Sequence, residues 1–526
     1  MRRFWKNMTA CVCGPLEDPA EAPSVAAAFA AAVNADVYAE SVATAGGAGW
    51  AVARRGLEKS LRILWPAGKR PAITEPFKGP IDEVDLSVGP AEVMEVARTA
   101  AAAAALRQAL PWTAPQLVAG RPSIGLGDRL GLATPGHVRA VRGTGYVPML
   151  AQQSIREMTR TRRSPQDVID DATWGVLESG WRDGFGADAD HLKDPDDLDR
   201  CAEAGFTFFT IDPGEYVDNE AAGAAPDALA AKFEGLPWPA LETSAADTRH
   251  AYAAVREDLG GEALAFDADT LHRAAAKYGG AVAHTAAMYR RLVERLGEGR
   301  FELEVSVDET DTPTSPADHY YVAKELSRLG VRWVSLAPRF VGRFEKGVDF
   351  IGDLAELQRT FAAHLAVAAR FGNYKISLHS GSDKFSVYEM AARHAGKRMH
   401  VKTAGTSYLE ALRVIAEKEI RLFREILDFA RCRYEADKAS YPVSANLNRV
   451  PISCVLADWH LAGLLNQFDA RQVLHVTYGS VLAAEGGKRF REPMLAALKT
   501  HEEAYAEALA KHIGRHLAPF LVVRQL

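Results

Sequence analysis

The chain is poor in cysteine, with five residues in 526. So few thiols cannot build the disulfide framework of a secreted scaffold, and they point to a reducing compartment. Cys11-x-Cys13 is too closely spaced and too isolated to hold zinc, and reads as free thiols. Long apolar runs are also missing. The Ala-rich segments at 26–33 and 97–105 come nearest, and polar residues cut both short, so no membrane span is expected. The start, Met1 to Lys6, is basic, but no apolar signal segment follows it. The formal net charge is −6 and no long Lys/Arg run occurs, which argues against a nucleic-acid or anionic-membrane surface. These absences lead to the expectation of a cytoplasmic protein with neither a membrane nor a nucleic-acid partner. Association into a homo-oligomer stays open.

A convincing dinucleotide fingerprint is absent too. Gly125–Gly131 (GLGDRLG) is only a loose relative of one, and Asp128 would push a carboxylate at the pyrophosphate. No NAD is expected.

What is present is a series of eight short apolar runs between Ser123 and Tyr408, each ending in chemically capable residues. The ends are GLGDR (125–129), LAQQS (150–154), GADADHLK (186–193), TIDPG (210–214), VSVDET (305–310), SLAPR (335–339), SLHSGSDK (377–384) and HVKTAG (400–405). Ser164-Pro165, Asp194-Pro195 and Ser315-Pro316 each set a capping side chain before a Pro at the first helical position. Gly180, Gly205 and Gly330 stand where those helices should stop. This cycle predicts an α/β fold, a (β/α)₈ TIM-type barrel whose strand ends build one site at the C-terminal face.

Residues 1–118 read as an N-terminal α/β cap subdomain, with strands at Ser41–Ala53 and Leu61–Trp65. The barrel occupies 119–410, with a helical insertion at 215–300 that either covers the site or is structural. A helical extension fills 411–526, and Tyr408–Glu435 reads as one long helix.

Strand alternation puts Asp188 and Asp190 on one side and His191 on the other. It turns Glu304, Ser306 and Asp308 inward, and likewise Lys375, Ser377 and His379. His191, His379 and Asp308 form a mixed N/O set suited to one divalent transition metal such as Zn, Mn, Ni, Co or Fe. Asp308 and Glu309 compete for the ligand role, since the chain turns at a strand end. Asp128, Asp190 and Glu309 are the candidate acid/base groups, with a local Asp128–Arg129 ion pair as the plain alternative. The loop Ser380-Gly381-Ser382-Asp383-Lys384 follows strand seven, where barrels commonly bind anions. Ser380, Ser382, Asp383 and Lys384, with Arg129, Lys193, Arg339 and Lys402, are candidate contacts to a compact anionic substrate. Gln152 and Gln153 suit sugar hydroxyls.

GLGDRLGLATPGH (125–137), LAQQSIREMTRT (150–161), GADADHLK, TIDPG and LHSGSDK together resemble the tagaturonate epimerase family, which also includes enzymes described as tagatose 4-epimerases. The resemblance runs through the whole barrel. It implies a metal-dependent epimerase that interconverts D-tagaturonate and D-fructuronate in hexuronate breakdown. The inverted carbon, C4, is beta to the C2 ketone, so its C–H is not acidified. Simple proton abstraction is excluded, which leaves transient oxidation at C4, for which the sequence offers no good redox-cofactor site, and retro-aldol cleavage of C3–C4 with re-addition, which suits the residues and is the expected route. The alternatives are a metal-dependent aldolase or sugar isomerase on the same barrel, and a non-catalytic sugar-binding subunit.

Overall fold

The structure is a computed structural model that describes residues 5–6, 14–15 and 22–522. Cys11 and Cys13 lie outside the described residues. Cys201, Cys432 and Cys454 are free thiols.

Eight parallel strands close into a barrel in chain order. They are β1 (Ser123–Gly125), β2 (Val147–Ser154), β3 (Gly186–Leu192), β4 (Phe208–Ile211), β5 (Glu302–Val307), β6 (Ser335–Pro338), β7 (Lys375–Leu378) and β8 (Met399–Lys402). The surrounding helices are α1 (Thr134–Val141), α2 (Pro165–Glu178), α3 (Pro195–Ala204), α4 (Ala268–Leu296), α5 (Pro316–Arg328), α6 (Leu354–Arg370), α7 (Phe385–Ala395) and α8 (Thr406–Lys418). The caps form as the sequence dictates. Ser164 and Ser315 make reciprocal capping boxes with Asp167 and Asp318, and the Asp194 side chain accepts from the Asp196 amide. Gly205 ends α3 at φ 97°, which a side chain would resist.

The apolar strand residues Leu303, Val305, Ile376, Leu378 and Val401 point outward into the main core beneath the helices. The inward positions are polar instead. Register sets Gln152 beside Asp188, and Thr210 beside Glu304. The barrel axis is therefore lined by charged and hydroxyl groups.

Residues before β1 form a seven-stranded antiparallel sheet that includes both predicted strand regions. Its Trp50 and Trp65 pack in one cluster with Trp174 and Leu177 of α2. The sheet thus leans on the barrel's flank. In the long β4–β5 connection, α4 turns out to be a ring helix of the barrel. The added material is about 50 residues before it, with two short helices (Pro226–Glu234 and Ala245–Ala253) and a small hairpin. It packs on α5 through Tyr252–Tyr321 and Phe266–Tyr320 contacts.

The single helix expected over Tyr408–Glu435 is two. The chain breaks at Glu419 (φ −129°, ψ 60°) before α9 (Ile420–Asp437). α8 and α9 share a second core, α8 through Leu409, Leu412 and Ile415 and α9 through Phe423, Ile426 and Leu427. α10 (Phe468–Val476), α11 (Tyr478–Ala483) and α12 (Arg491–Thr500) complete that core. α13 (Glu502–Val522) returns to the barrel, where Ile513, Leu517 and Phe520 join the main core. Among the described residues no helix is long and apolar enough to cross a membrane.

Candidate active site

The chemistry gathers at the C-terminal ends of β3, β5, β7 and β8. Lys402 Nζ lies 2.8 Å from Asp188 Oδ2, 2.7 Å from Asp190 Oδ1 and 2.7 Å from Glu304 Oε1. It also donates to Thr210 Oγ1 at 2.7 Å. Above this cluster sit two histidines with ring centroids 4.9 Å apart, His191 and His379. His191 Nδ1 meets Asp190 Oδ1 at 2.7 Å, and its Nε2 lies 3.5 Å from Asp308 Oδ1. His379 Nε2 meets Glu304 Oε1 at 2.6 Å, and its Nδ1 lies 3.0 Å from Asp308 Oδ1. Ser306 donates to Asp308. Gln152 Nε2 donates to Asp190 Oδ2 at 2.9 Å.

Strict alternation separates His191 from Asp190, but the chain turns at this strand end and both reach the site. The β3–β4 register shifts after Ala189, and His191 adopts φ 53°. That left-handed residue swings the imidazole back over the barrel mouth, a conformation that costs about 1–3 kcal/mol and persists only where its surroundings impose it.

The electrostatics follow from burial and crowding. Burial alone would depress Lys402, but Asp188, Asp190 and Glu304 hold its ammonium well above the usual range. Burial raises the Asp188 carboxyl to about 6 against the pull of Lys402. Glu304 and Asp308 resist the effect of burial and stay well below the carboxylate range, Glu304 through Lys402 and His379, Asp308 through His379 and His191. Burial acts to lower His191 and His379, yet Asp190 and Asp308 respectively lift each above its ordinary value.

Asp308, Glu309, Arg339, His379 and Ser380 line a cleft of about 550 Å³. Its rim carries Arg156, Arg343 and Lys346 beside Asp311 and Glu345, with Arg343 Nη1 3.6 Å from Glu345 Oε1, and residues 441–444 of the C-terminal extension close one side. Arg156 Nη2 pairs with Glu309 Oε1 at 3.0 Å, and Lys346 Nζ donates to Ser380 Oγ at 2.7 Å. Lys193 stands nearby, 3.4 Å from Asp212 Oδ2. No residue of the N-terminal sheet lines this cleft. Asn219 is the link from the insertion, its side chain accepting from the Asp311 amide at 3.0 Å.

Several expected site residues have other work. Asp128 accepts from the amides of Leu130, Gly131 and Ala133, so both its oxygens are committed to the turn before α1. Arg129 pairs with Glu157 rather than Asp128, and its guanidinium lies over the Tyr478 ring. Gln153 faces outward, donating to the Asp128 carbonyl and accepting from Arg163. In the strand-seven loop only Ser380 reaches the cleft. Ser382 exchanges hydrogen bonds with Thr406 and Ala404, and Asp383 is held by Arg471 at 2.6 Å and His512 at 2.5 Å. Lys384 is fully buried and donates to the carbonyls of Glu345, Val348 and Ser382. Ser380 and Asp383 both have positive φ, and the amides of Asp383 and Lys384 donate to His516 Nε2 and the Tyr388 hydroxyl. Lys402 is removed from substrate contact by its own partners: four acceptors take up all its donors. Asp190, filled by Lys402, His191 and Gln152, is a poor general base for the same reason.

Sequence reasoning passed over Arg156, in the short helix Ile155–Thr161 after β2, and Lys346 and Tyr441, on loops far apart in the chain. It turned Glu304 inward and paired Asp188 with Asp190, but gave neither a place in the site. The alternation was the usable signal.

The cluster suits a divalent cation. His191 Nε2 and Glu304 Oε2 are buried without a hydrogen-bond partner, and unpaired buried polar atoms ask for a ligand. Ligand atoms of Asp190, His191 and His379 lie within 4.8 Å of one another, as do those of His191, Asp212 and Glu309. Imidazoles and carboxylates are the donor set of a first-row metal.

A family model described as tagaturonate epimerase matches residues 38–520. A tagaturonate/fructuronate epimerase of Thermotoga maritima is 46% identical over 412 residues, which cover 78% of this chain and 83% of the relative. The native crystal structure of fructuronate-tagaturonate epimerase UxaE from Cohnella laeviribosi superposes with a TM-score of 0.86 at 37% identity, over 95% of this chain and 99% of that one. A glycerol complex of the same protein superposes equally well.

Proposed function

The chain belongs to the tagaturonate epimerase family, and on that premise we propose that it interconverts D-tagaturonate and D-fructuronate by inverting C4. The observation that carries the reading is that Asp308, Glu309 and His379 line one cleft edged by Arg156, Arg343 and Lys346, with His191 directly behind them, 3.5 Å from Asp308 Oδ1. His191, His379 and Asp308 would hold a divalent metal, with Asp190 and Glu304 behind the two imidazoles. A metal bound there supplies Lewis acidity toward the substrate's ketone oxygen.

The chain's own groups do the rest. Arg156, Arg343 and Lys346 replace Lys384 as the groups that receive the C6 carboxylate. An Arg in this role can meet both carboxylate oxygens at once. Glu309 is the general base for the C4 hydroxyl proton, since it lines the cleft and its partner Arg156 is on the rim. Loss of that proton lets C3–C4 break, with the electron pair passing to C3. The aldehyde at C4 turns its other face, and C3 attacks again as a proton returns to the new C4 oxygen. Asp212 Oδ2, buried beside His191 and 3.4 Å from Lys193 Nζ, would serve the opposite face.

The test is turnover of D-tagaturonate followed by ¹³C NMR, before and after chelator dialysis and metal restoration. D-Fructuronate should form only with metal, and in D₂O it should carry no deuterium at C4. ¹³C isotope effects at both C3 and C4 should accompany it. A several-fold isotope effect from deuterium at C4 would show C–H cleavage and sink the retro-aldol route. Faster turnover of a neutral ketohexose than of the uronate would overturn the carboxylate assignment.

A further inference from the structure

We propose that Lys402 is a positioning residue that fixes both metal-binding histidines at once, in opposite ring orientations. The inference rests on the metal reading above and specifies which nitrogen each histidine presents.

Lys402 reaches both histidines through shared acceptors. Asp190 Oδ1 accepts from Lys402 Nζ at 2.7 Å and faces His191 Nδ1 at 2.7 Å. Glu304 Oε1 lies 2.7 Å from Lys402 Nζ and 2.6 Å from His379 Nε2. One ammonium thus branches through two carboxylates to two imidazoles. A carboxylate behind an imidazole holds the proton on the nitrogen it faces and leaves the other nitrogen for the metal. For His191 the free nitrogen is Nε2, which is buried and unpartnered. For His379 it is Nδ1. The nitrogens turned away from Asp190 and Glu304 both face Asp308 Oδ1, at 3.5 and 3.0 Å, and Ser306 Oγ lies 3.2 Å from His379 Nδ1. Asp188 and Thr210 complete the shell of the ammonium and hold it at the centre of the barrel. A lysine so enclosed has no donor left for substrate, so its effect on the reaction passes through the histidines. The same enclosure leaves no free amine to attack the substrate ketone.

Two measurements test this on the full-length protein. The first is metal affinity by chelator competition with Zn²⁺. Lys402→Met leaves three carboxylates uncompensated, so it is paired with Asp188→Asn to limit the imbalance. The double variant should raise the Kd for Zn²⁺ about ten- to a hundredfold, the usual effect of losing a group behind a metal ligand. Its far-UV circular dichroism should remain native. A folded double variant with wild-type Kd overturns the proposal. The second measurement needs no variant. Long-range ¹H–¹⁵N correlation of histidine in the Zn²⁺-loaded wild type should show His191 protonated at Nδ1 and His379 protonated at Nε2. The same tautomer in both rings overturns it. A wild type that binds no Zn²⁺ and needs no metal for turnover overturns the metal reading and this inference together. A wild type that binds Zn²⁺ with identical tautomers overturns this inference alone.

Discussion

Lys384 and Arg156 show how a charged side chain's neighbours decide its role. Burial pushes the Lys384 ammonium down to about 7, and three backbone carbonyls hold it away from the cleft. Lys384→Ala should leave those carbonyls unsatisfied and cost about 1–3 kcal/mol for each buried group stranded. Denaturant unfolding should therefore move well before KM does. Wild-type stability with a raised KM for the uronate would return Lys384 to the substrate. Arg156→Ala and Lys346→Ala should behave in the opposite way. A charge-assisted hydrogen bond is worth about 1.5–3 kcal/mol, so KM for the uronate should rise roughly ten- to a hundredfold, with little change for a neutral ketose. An equal loss on both substrates would assign these residues to structure. Glu309→Gln should lower kcat by about 10²–10⁴ if Glu309 moves the C4 hydroxyl proton, and near-wild-type turnover would remove it from the mechanism.

At the scale of elements, the site depends on how strands hand over to helices. β8 ends at Lys402 and α8 begins at Thr406, with Gly405 between them at φ 90°. A Cβ at Gly405 would lie 2.3 Å from His475 Cε1, so α10 leaves no room for one. Gly405→Ala should cost about 1–3 kcal/mol from the left-handed backbone alone, before any displacement of His475. Thermal and urea unfolding would register the loss. A change under about 0.5 kcal/mol would mean the turn can relax to a conformation any residue accepts. The bulged end of β3 applies the same logic to function, because only that local irregularity brings His191 and Asp190 to the same side. The break at Glu419 is a third case. Apolar spacing continues across it, so the periodicity reads as one helix, and the break at Glu419 lets both halves face the same core.

At the scale of the molecule, burial of neutral histidines sets the response to acid. Burial pushes His137, His364 and His516 down to about 4 each. Their folded values lie below the ordinary value of about 6.5, so the unfolded chain takes up protons that the folded chain refuses. The stability they contribute is complete above pH ~6.5 and is lost as pH falls toward 4. The loss is on the order of a few kcal/mol per histidine at pH ~4. The urea midpoint should be level near neutrality and fall steeply from pH ~6.5 to ~4.5, and His364→Gln should flatten part of that fall. An unchanged midpoint across this interval would contradict the burial argument.

The sequence by itself determined the barrel, because hydrophobic runs, N-terminal caps and C-terminal glycines are local signals that repeat with each βα unit. It also determined which strand residues turn inward, through a period of two that holds until a strand bends. Glu304, Asp308, Lys375 and His379 were legible on that ground alone, as was the family resemblance carried by the strand-end motifs. Tertiary structure decided what each polar group meets. Asp128 and Lys384 look like chemistry in one dimension, and only the fold shows their lone pairs and protons already committed. Arg156, Lys346 and Tyr441 come together from the short helix Ile155–Thr161 after β2, a loop after β6 and the C-terminal extension, at separations no spacing rule spans. The branching of Lys402 to Asp190 and Glu304 joins β8 to β3 and β5 across the barrel axis. Hydrogen bonds and ion pairs act over about 3 Å of space, and the chain brings such partners within that distance only when the barrel closes.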